Sequence, residues 1–134
     1  MPGPLLDGKT AVITGASSGN GRAMARAFAE EGADIVVADI QEEPREGGEP
    51  THALVSAETD AETRFVECNV TDRQQLEAAM DAAEELGGVD VMVNNAGIFR
   101  AEEFLEVTED EFDRLIDINV KGTFFGAQAA GARM

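Results

Sequence analysis

The sequence predicts an open, parallel α/β sheet with helices on both faces. Three observations lead there. Short apolar runs alternate with segments of helical periodicity. The run at 35–38 (IVVA) is apolar throughout, as in strands buried on both faces of a parallel sheet. The first run enters a glycine-rich turn that opens directly into an alanine-rich segment, so strand, turn, helix and strand make one βαβ unit.

Residues 9–13 (KTAVI) form the first strand. Residues 21–31 follow as a helix with Met24, Ala27 and Phe28 on its buried face, and Gly32 stops it. Residues 35–38 (IVVA) are the second strand. The charged, Gly- and Pro-rich stretch 41–50 is a loop, and 51–60 a short helix. Residues 64–68 make the third strand. Residues 71–74 read as a capping box for a helix that buries Leu76, Ala79, Met80 and Ala83 and ends at Gly87 and Gly88. Residues 89–93 are the fourth strand. A second capping box at 108–111 opens a long helix with Phe112, Leu115, Ile116, Asn119, Thr123 and Phe124 on one face. Right-handed crossovers give the strand order 3-2-1-4, with strand 4 an exposed edge.

The 134 residues suffice for one domain, 1–134. No apolar stretch reaches the roughly 18 residues of a membrane span, and the N-terminus has no signal-peptide pattern. With the single Cys68, a cytoplasmic protein is expected. The net charge is −17, and lysine occurs only as Lys9 and Lys121. Such a surface repels nucleic acid and anionic membranes, so neither is expected as a partner. An acidic, lysine-poor, alanine-rich composition resembles that of proteins working in a salt-filled cytoplasm, and a halophilic source is expected.

The functional signal begins at residues 14–21, TGASSGNG. Glycines at 15, 19 and 21 after a strand let the backbone turn sharply and bring its N–H groups near a pyrophosphate. Asp39 ends the next strand, 18 residues beyond Gly21. A carboxylate there accepts hydrogen bonds from adenosine ribose hydroxyls and repels a 2′-phosphate, which favours NAD over NADP.

Two further motifs stand at matching distances: Asn94, Asn95, Ala96 and Gly97 after the fourth strand, and Asn119, Val120, Lys121 and Gly122 on the long helix. Together with the glycine turn they resemble the N-terminal half of a short-chain dehydrogenase/reductase over nearly all of residues 5–134. The resemblance implies a Rossmann-like, doubly wound parallel sheet that is incomplete, without the C-terminal strands and helices. It also implies hydride transfer between nicotinamide and a secondary alcohol or ketone. Gly15, Ser17, Ser18, Gly19, Asn20 and Gly21 would then line the pyrophosphate and adjoining ribose. Asn69 and Val70 would contact the adenine, Asn69 standing where an aspartate is usual and bonding the amino group through its amide oxygen. Asn95, Ala96 and Gly97 would flank the cofactor further on. Asn20 replaces a common apolar residue.

Asn119 matches the family's helix-borne asparagine, which helps hold a water in the proton relay; as a structural residue it would bond its own helix. Lys121 reads as a surface charge, His52 as a surface residue and Cys68 as a small buried hydrophobe. The sequence contains no tyrosine. The family's acid is a tyrosine with a lysine four residues later and a nearby serine, all beyond the long helix. The chain alone is therefore expected to be inactive. The other reading is a non-catalytic NAD-binding or interaction module, self-associating through the helix at 108–134. No metal site is expected.

Overall fold

A computed structural model describes residues 3–134. The elements run β1 (Thr10–Thr14), α1 (Gly19–Glu30), β2 (Asp34–Asp39), α2 (Thr51–Glu58), β3 (Thr63–Glu67), α3 (Arg73–Glu85) and β4 (Val91–Val93). A 3₁₀ turn at Phe104–Glu106 precedes one helical run made of α4 (Glu109–Ile116), a π segment (Asp117–Lys121) and α5 (Gly122–Gly131). All strands are parallel, in the order β3-β2-β1-β4 expected from the sequence.

The two central strands divide the core. Val12, Val36 and Ala38 point into one layer with Leu76, Met80 and Ala83 of α3 and Ala129 and Ala130 of α5. Ala11, Ile13, Ile35 and Val37 point into the other, with Ala25 and Ala29 of α1 and Val55 of α2. Alternate residues of one strand thus serve opposite faces, which is why the runs carry no polar positions. Each fully buried Ile or Val here contributes about 1.5–3 kcal/mol of burial, and Ile13 and Ile35 are 0% exposed.

Several boundaries and faces differ from the sequence expectation. Strand β1 lies one residue later, at Thr10–Thr14, because Lys9 precedes the ladder. Strand β4 is shorter than 89–93: Thr10 N–H donates to Asp90 Oδ2 at 2.9 Å and Asp90 N–H to Thr10 O, a side-chain clip preceding the ladder. Helix α1 begins at Gly19, and it buries Ala25 and Ala29 while Ala27 is exposed and Met24 and Phe28 only half-buried. Small residues face the sheet because the helix lies close to it. The same reason corrects the long helix. Its buried positions are Gly122, Gly126, Ala129 and Ala130, whereas Phe112, Thr123 and Phe124 are exposed. A Cβ on Gly122 would stand 2.6 Å from Val70 Cγ2, so bulk is excluded from that face.

The capping box at 71–74 does not form. Thr71 Oγ1 donates to Asn69 Oδ1 at 2.7 Å, and Asp72 caps α3 instead, accepting from Gln74 and Gln75 N–H. The box at Thr108 and Glu111 does form. His52 is half-buried rather than on the surface, 2.7 Å from Glu42 Oε2 and tilted against Phe65. Lys121 is exposed and pairs with Asp117 at 3.3 Å.

Two expected outcomes follow from this packing. A Cβ at Gly21 would run into the backbone carbonyl of Gly15 and come within 2.7 Å of Asn95 Nδ2. Backbone cannot yield as a side-chain tip can, so Gly21→Ala should lower stability by about 1–3 kcal/mol in urea titrations. Cys68 is 2% exposed. Burial, with the charges of Asp72 and Asp39 adding, pushes its thiol from an ordinary 9.0 up to about 11. Above pH 9 the unfolded chain releases a proton that the folded chain keeps, so stability should be full below pH 9 and decline between pH 9 and 11. Cys68→Ala should flatten that slope of the denaturation midpoint.

Candidate functional site

The loops that follow all four strands meet at the carboxyl edge of the sheet, around a cleft of about 310 Å³. It lies at the switch point where the chain leaves β1 toward β2 on one side and β4 lies on the other, the position open α/β sheets use for ligands. Gly15 comes from the end of β1, Asp39 from the end of β2, Cys68, Asn69 and Val70 from the loop after β3, and Asn95, Ala96 and Gly97 from that after β4.

The first loop is shaped by its glycines and by a few hydrogen bonds. Gly15 has φ 69°, a left-handed conformation that leads the chain out of β1 toward α1. Its N–H donates to Ala38 O at 2.8 Å, holding the ends of β1 and β2 together. Across the switch point Thr14 does the same for β4. Its hydroxyl oxygen accepts from Asn95 N–H and Ala96 N–H, both at 3.0 Å. Asn95 Nδ2 in turn donates to Thr14 O at 3.1 Å and Gly15 O at 3.3 Å.

Ten of the twelve residues expected to hold a cofactor line the cleft: Gly15, Ser18, Gly19, Asn20, Asp39, Asn69, Val70, Asn95, Ala96 and Gly97. The other two stand behind it. Ser17 is 1% exposed; its N–H donates to Asp39 Oδ2 at 3.0 Å and its hydroxyl to Gln41 O at 2.6 Å, so it holds the acid. Gly21 packs α1 onto Gly15. Asp39 is 8% exposed, and its second oxygen accepts from Ile40 N–H at 2.7 Å. The carboxylate is thereby fixed at the cleft wall.

Asn69 differs from expectation. Its amide oxygen already accepts from Thr71 N–H and Thr71 Oγ1, leaving the amide nitrogen as the freer group. Asn119 does not bond its own helix through its side chain either. Its Nδ2 donates to Ile98 O at 2.7 Å and its Oδ1 accepts from Ile98 N–H at 2.8 Å, a two-bond clasp between the π segment and the loop after β4. A π turn is frequent at functional positions, and nothing in the residue pattern announces this one. Asn119 itself does not line the cleft, although Ile98 and Ile118 do.

Sequence reasoning missed Ile40, Cys68, Ile98, Arg114 and Ile118 as cleft residues, and Arg45 with them. Ile40 and Ile98 each adjoin an expected residue, a signal available beforehand. Arg45 and Arg114 had none, since both are brought to the cleft by tertiary structure. The loop after β2 reaches back over the start of α1: Arg45 N–H donates to Ser18 Oγ at 2.8 Å, and Glu46 Oε2 accepts from Gly19 N–H at 3.0 Å.

That backbone donor is the main cause holding the Glu46 carboxyl below its ordinary 4.5, with the Ser18 hydroxyl and the Arg22 charge adding. A lowered carboxylate stabilises its contact above the ordinary value and loses it as pH falls through the lowered one. The Gly19 amide resonance should therefore titrate with a midpoint below 4.5, and Glu46→Gln should abolish that titration.

Comparison with known proteins agrees with this geometry. A family model described as short chain dehydrogenase matches residues 9–134. L-2,3-butanediol dehydrogenase of Corynebacterium glutamicum is 40% identical over 126 residues, 93% of this chain and 48% of that protein. D-threitol dehydrogenase of Mycolicibacterium smegmatis is 41% identical over 130 residues, 96% of this chain and 48% of that one. A solved short-chain type dehydrogenase/reductase from Mycobacterium marinum superposes with a TM-score of 0.83 at 37% identity, covering 95% of this chain and 50% of its own. The chain spans about half the length of the curated relatives it matches. From the match over residues 9–134 and from these relatives, the chain belongs to the short-chain dehydrogenase family.

Proposed function

We propose that residues 1–134 form the dinucleotide-binding half of an NAD-dependent oxidoreductase that acts on a small secondary alcohol or its ketone. The observation that carries this reading is the convergence of ten motif residues on one switch-point cleft. The residues fit the group: α1 begins at the glycine turn with N–H groups that have no intrahelical carbonyl to reach; Glu46 takes that of Gly19, and those after it suit a pyrophosphate. Asp39, held by Ser17 and Ile40, suits ribose hydroxyls and opposes a 2′-phosphate. Bound nicotinamide supplies the hydride chemistry. The chain's own part is to fix the dinucleotide and, through the Asn119 clasp on Ile98, to set the loop beside it. In this reading Asn119 keeps its family role near the proton relay through its backbone, since its amide is committed.

In the family pattern the proton donor is a tyrosine, and this sequence contains none. The chain alone is therefore proposed to bind cofactor and not to turn over. The two relatives named above are dehydrogenases of butanediol and threitol, and a small polyhydroxy alcohol is the proposed substrate class for the whole enzyme. The composition favours a salt-rich cytoplasm, where screening relieves the net charge of −17.

A second reading has its own observation. Strand β4 pairs only with β1, and Phe99, Phe104 and Leu105 beyond it are each 89% exposed. A non-catalytic binding module that meets a partner or a second copy on that side, through the helical run from 108 as well, would cover them. The described residues hold no cluster of groups fit for a metal and no helix long and apolar enough to cross a membrane.

NADH fluorescence titration tests the first reading. NADH should bind at least about tenfold more tightly than NADPH, about 1.4 kcal/mol, and Asp39→Ala should erase most of that difference. Absence of NADH binding would remove the cofactor reading. Steady NADH formation from butane-2,3-diol by the chain alone would remove the division of labour.

A further inference from the structure

The chain has 10 lysines and arginines against 27 acids, so an unpaired cation is conspicuous. Most of them are engaged. Arg26, Arg64, Arg100, Lys121 and Arg133 make ion pairs. Arg22 donates to Glu49 O and Thr51 Oγ1, and Arg73 donates to Gln128 Oε1 and lies over the Phe125 ring. Among the described residues only the side chains of Lys9, Arg45 and Arg114 lack a hydrogen-bond or ion-pair partner. Two of those three line the cleft, Arg45 from the loop after β2 and Arg114 from α4. The sole acid in the lining is Asp39, and the Glu46 carboxylate lies at the rim on Gly19 N–H. The lining thus carries two basic residues to one acid in a molecule of charge −17.

That inversion matters for a ligand carrying phosphates. At physiological salt the Debye length is about 8 Å, so the acidic surface still acts on a nearby anion, and a concave, low-dielectric wall focuses the field of the charges that line it. Guanidinium is also the cation best suited to phosphate oxygens, because its planar fork donates two parallel hydrogen bonds. We propose that Arg45 and Arg114 are the cleft's anion-binding residues, drawing a dinucleotide's phosphates into a protein whose surface otherwise repels them. The inference rests on the cofactor reading above and adds two binding residues outside its motifs.

The test compares NADH with uncharged adenosine as probes, by fluorescence titration and competition, on the chain and its Arg45→Ala and Arg114→Ala variants. Both arginines are exposed and make no side-chain bonds, so folding should be untouched. Each alanine variant should weaken NADH roughly three- to tenfold at about 0.1 M salt and leave adenosine unchanged, and the gap should narrow at about 1 M. Arg45→Lys and Arg114→Lys, which keep the charge, should recover most of the loss. NADH affinity equal to the wild type in both alanine variants would overturn this inference while leaving the cofactor reading intact. Equal weakening of NADH and adenosine would also overturn it, as packing rather than charge. A wild-type chain that binds neither probe would overturn the cofactor reading and this inference together.

Discussion

The cleft depends on one clamp at the point where β1 and β4 diverge. Beyond Thr14 the chain leaves β1 for α1, and nothing in the ladder fixes how far the β4 loop stands away. Thr14 and Asn95 fix it. The hydroxyl of Thr14 gathers two backbone N–H groups, and the amide of Asn95 returns two bonds to Thr14 O and Gly15 O. Neutral hydrogen bonds of this kind contribute about 1 kcal/mol each, but leaving such partly buried donors unpaired costs more. Both walls of the cleft are thus specified by side chains of two strand ends. Gly21 then seats α1 against the same carbonyl of Gly15 and the same amide of Asn95, a place where no Cβ fits. The third glycine of the turn therefore acts on packing.

Further hydrogen bonds orient the groups in the walls. Asp39 would be a mobile acid at a strand end without Ser17 N–H and Ile40 N–H, which aim its two oxygens. Asn119 does the equivalent at the other end by clasping both backbone groups of Ile98 from a π turn. The loop after β2 completes the rim. Its Glu46 lies on the first N–H of α1, and its Arg45 lines the cleft unpaired.

Much of the fold was legible because buried parallel strands leave an unmistakable pattern. The interiors of β1 and β2, residues 11–13 and 35–38, are apolar because they feed two cores, and the crossover rule then yields the order β3-β2-β1-β4. The helix faces were less legible. Reading the bulkiest residues as buried put Phe124 inwards, whereas the helix approaches Val70 and Asn94 too closely for anything but Gly122 and Gly126. Apolarity measures preference for the core, and close approach measures the room available there. The cap of α3 stands one residue later than read: the helix starts at Arg73, so Asp72 holds the cap position and accepts from Gln74 and Gln75 N–H, while Thr71 bonds Asn69. In the site, motif residues were visible because they follow strands in sequence. Arg45 and Arg114 were invisible because only the tertiary fold brings them there.

The same topology explains why so much of a ligand site can sit in one contiguous stretch. In a parallel sheet every strand ends on the same edge, and right-handed crossovers place β1 to β4 as immediate neighbours across the switch point. The four loops that line the cleft are thus the first four strand-to-helix connections of the chain. The proton chemistry has no such economy. It needs a titratable hydroxyl or amine at the substrate, and here the groups beside the expected relay are an asparagine whose amide is fully committed and the apolar Ile98 and Ile118.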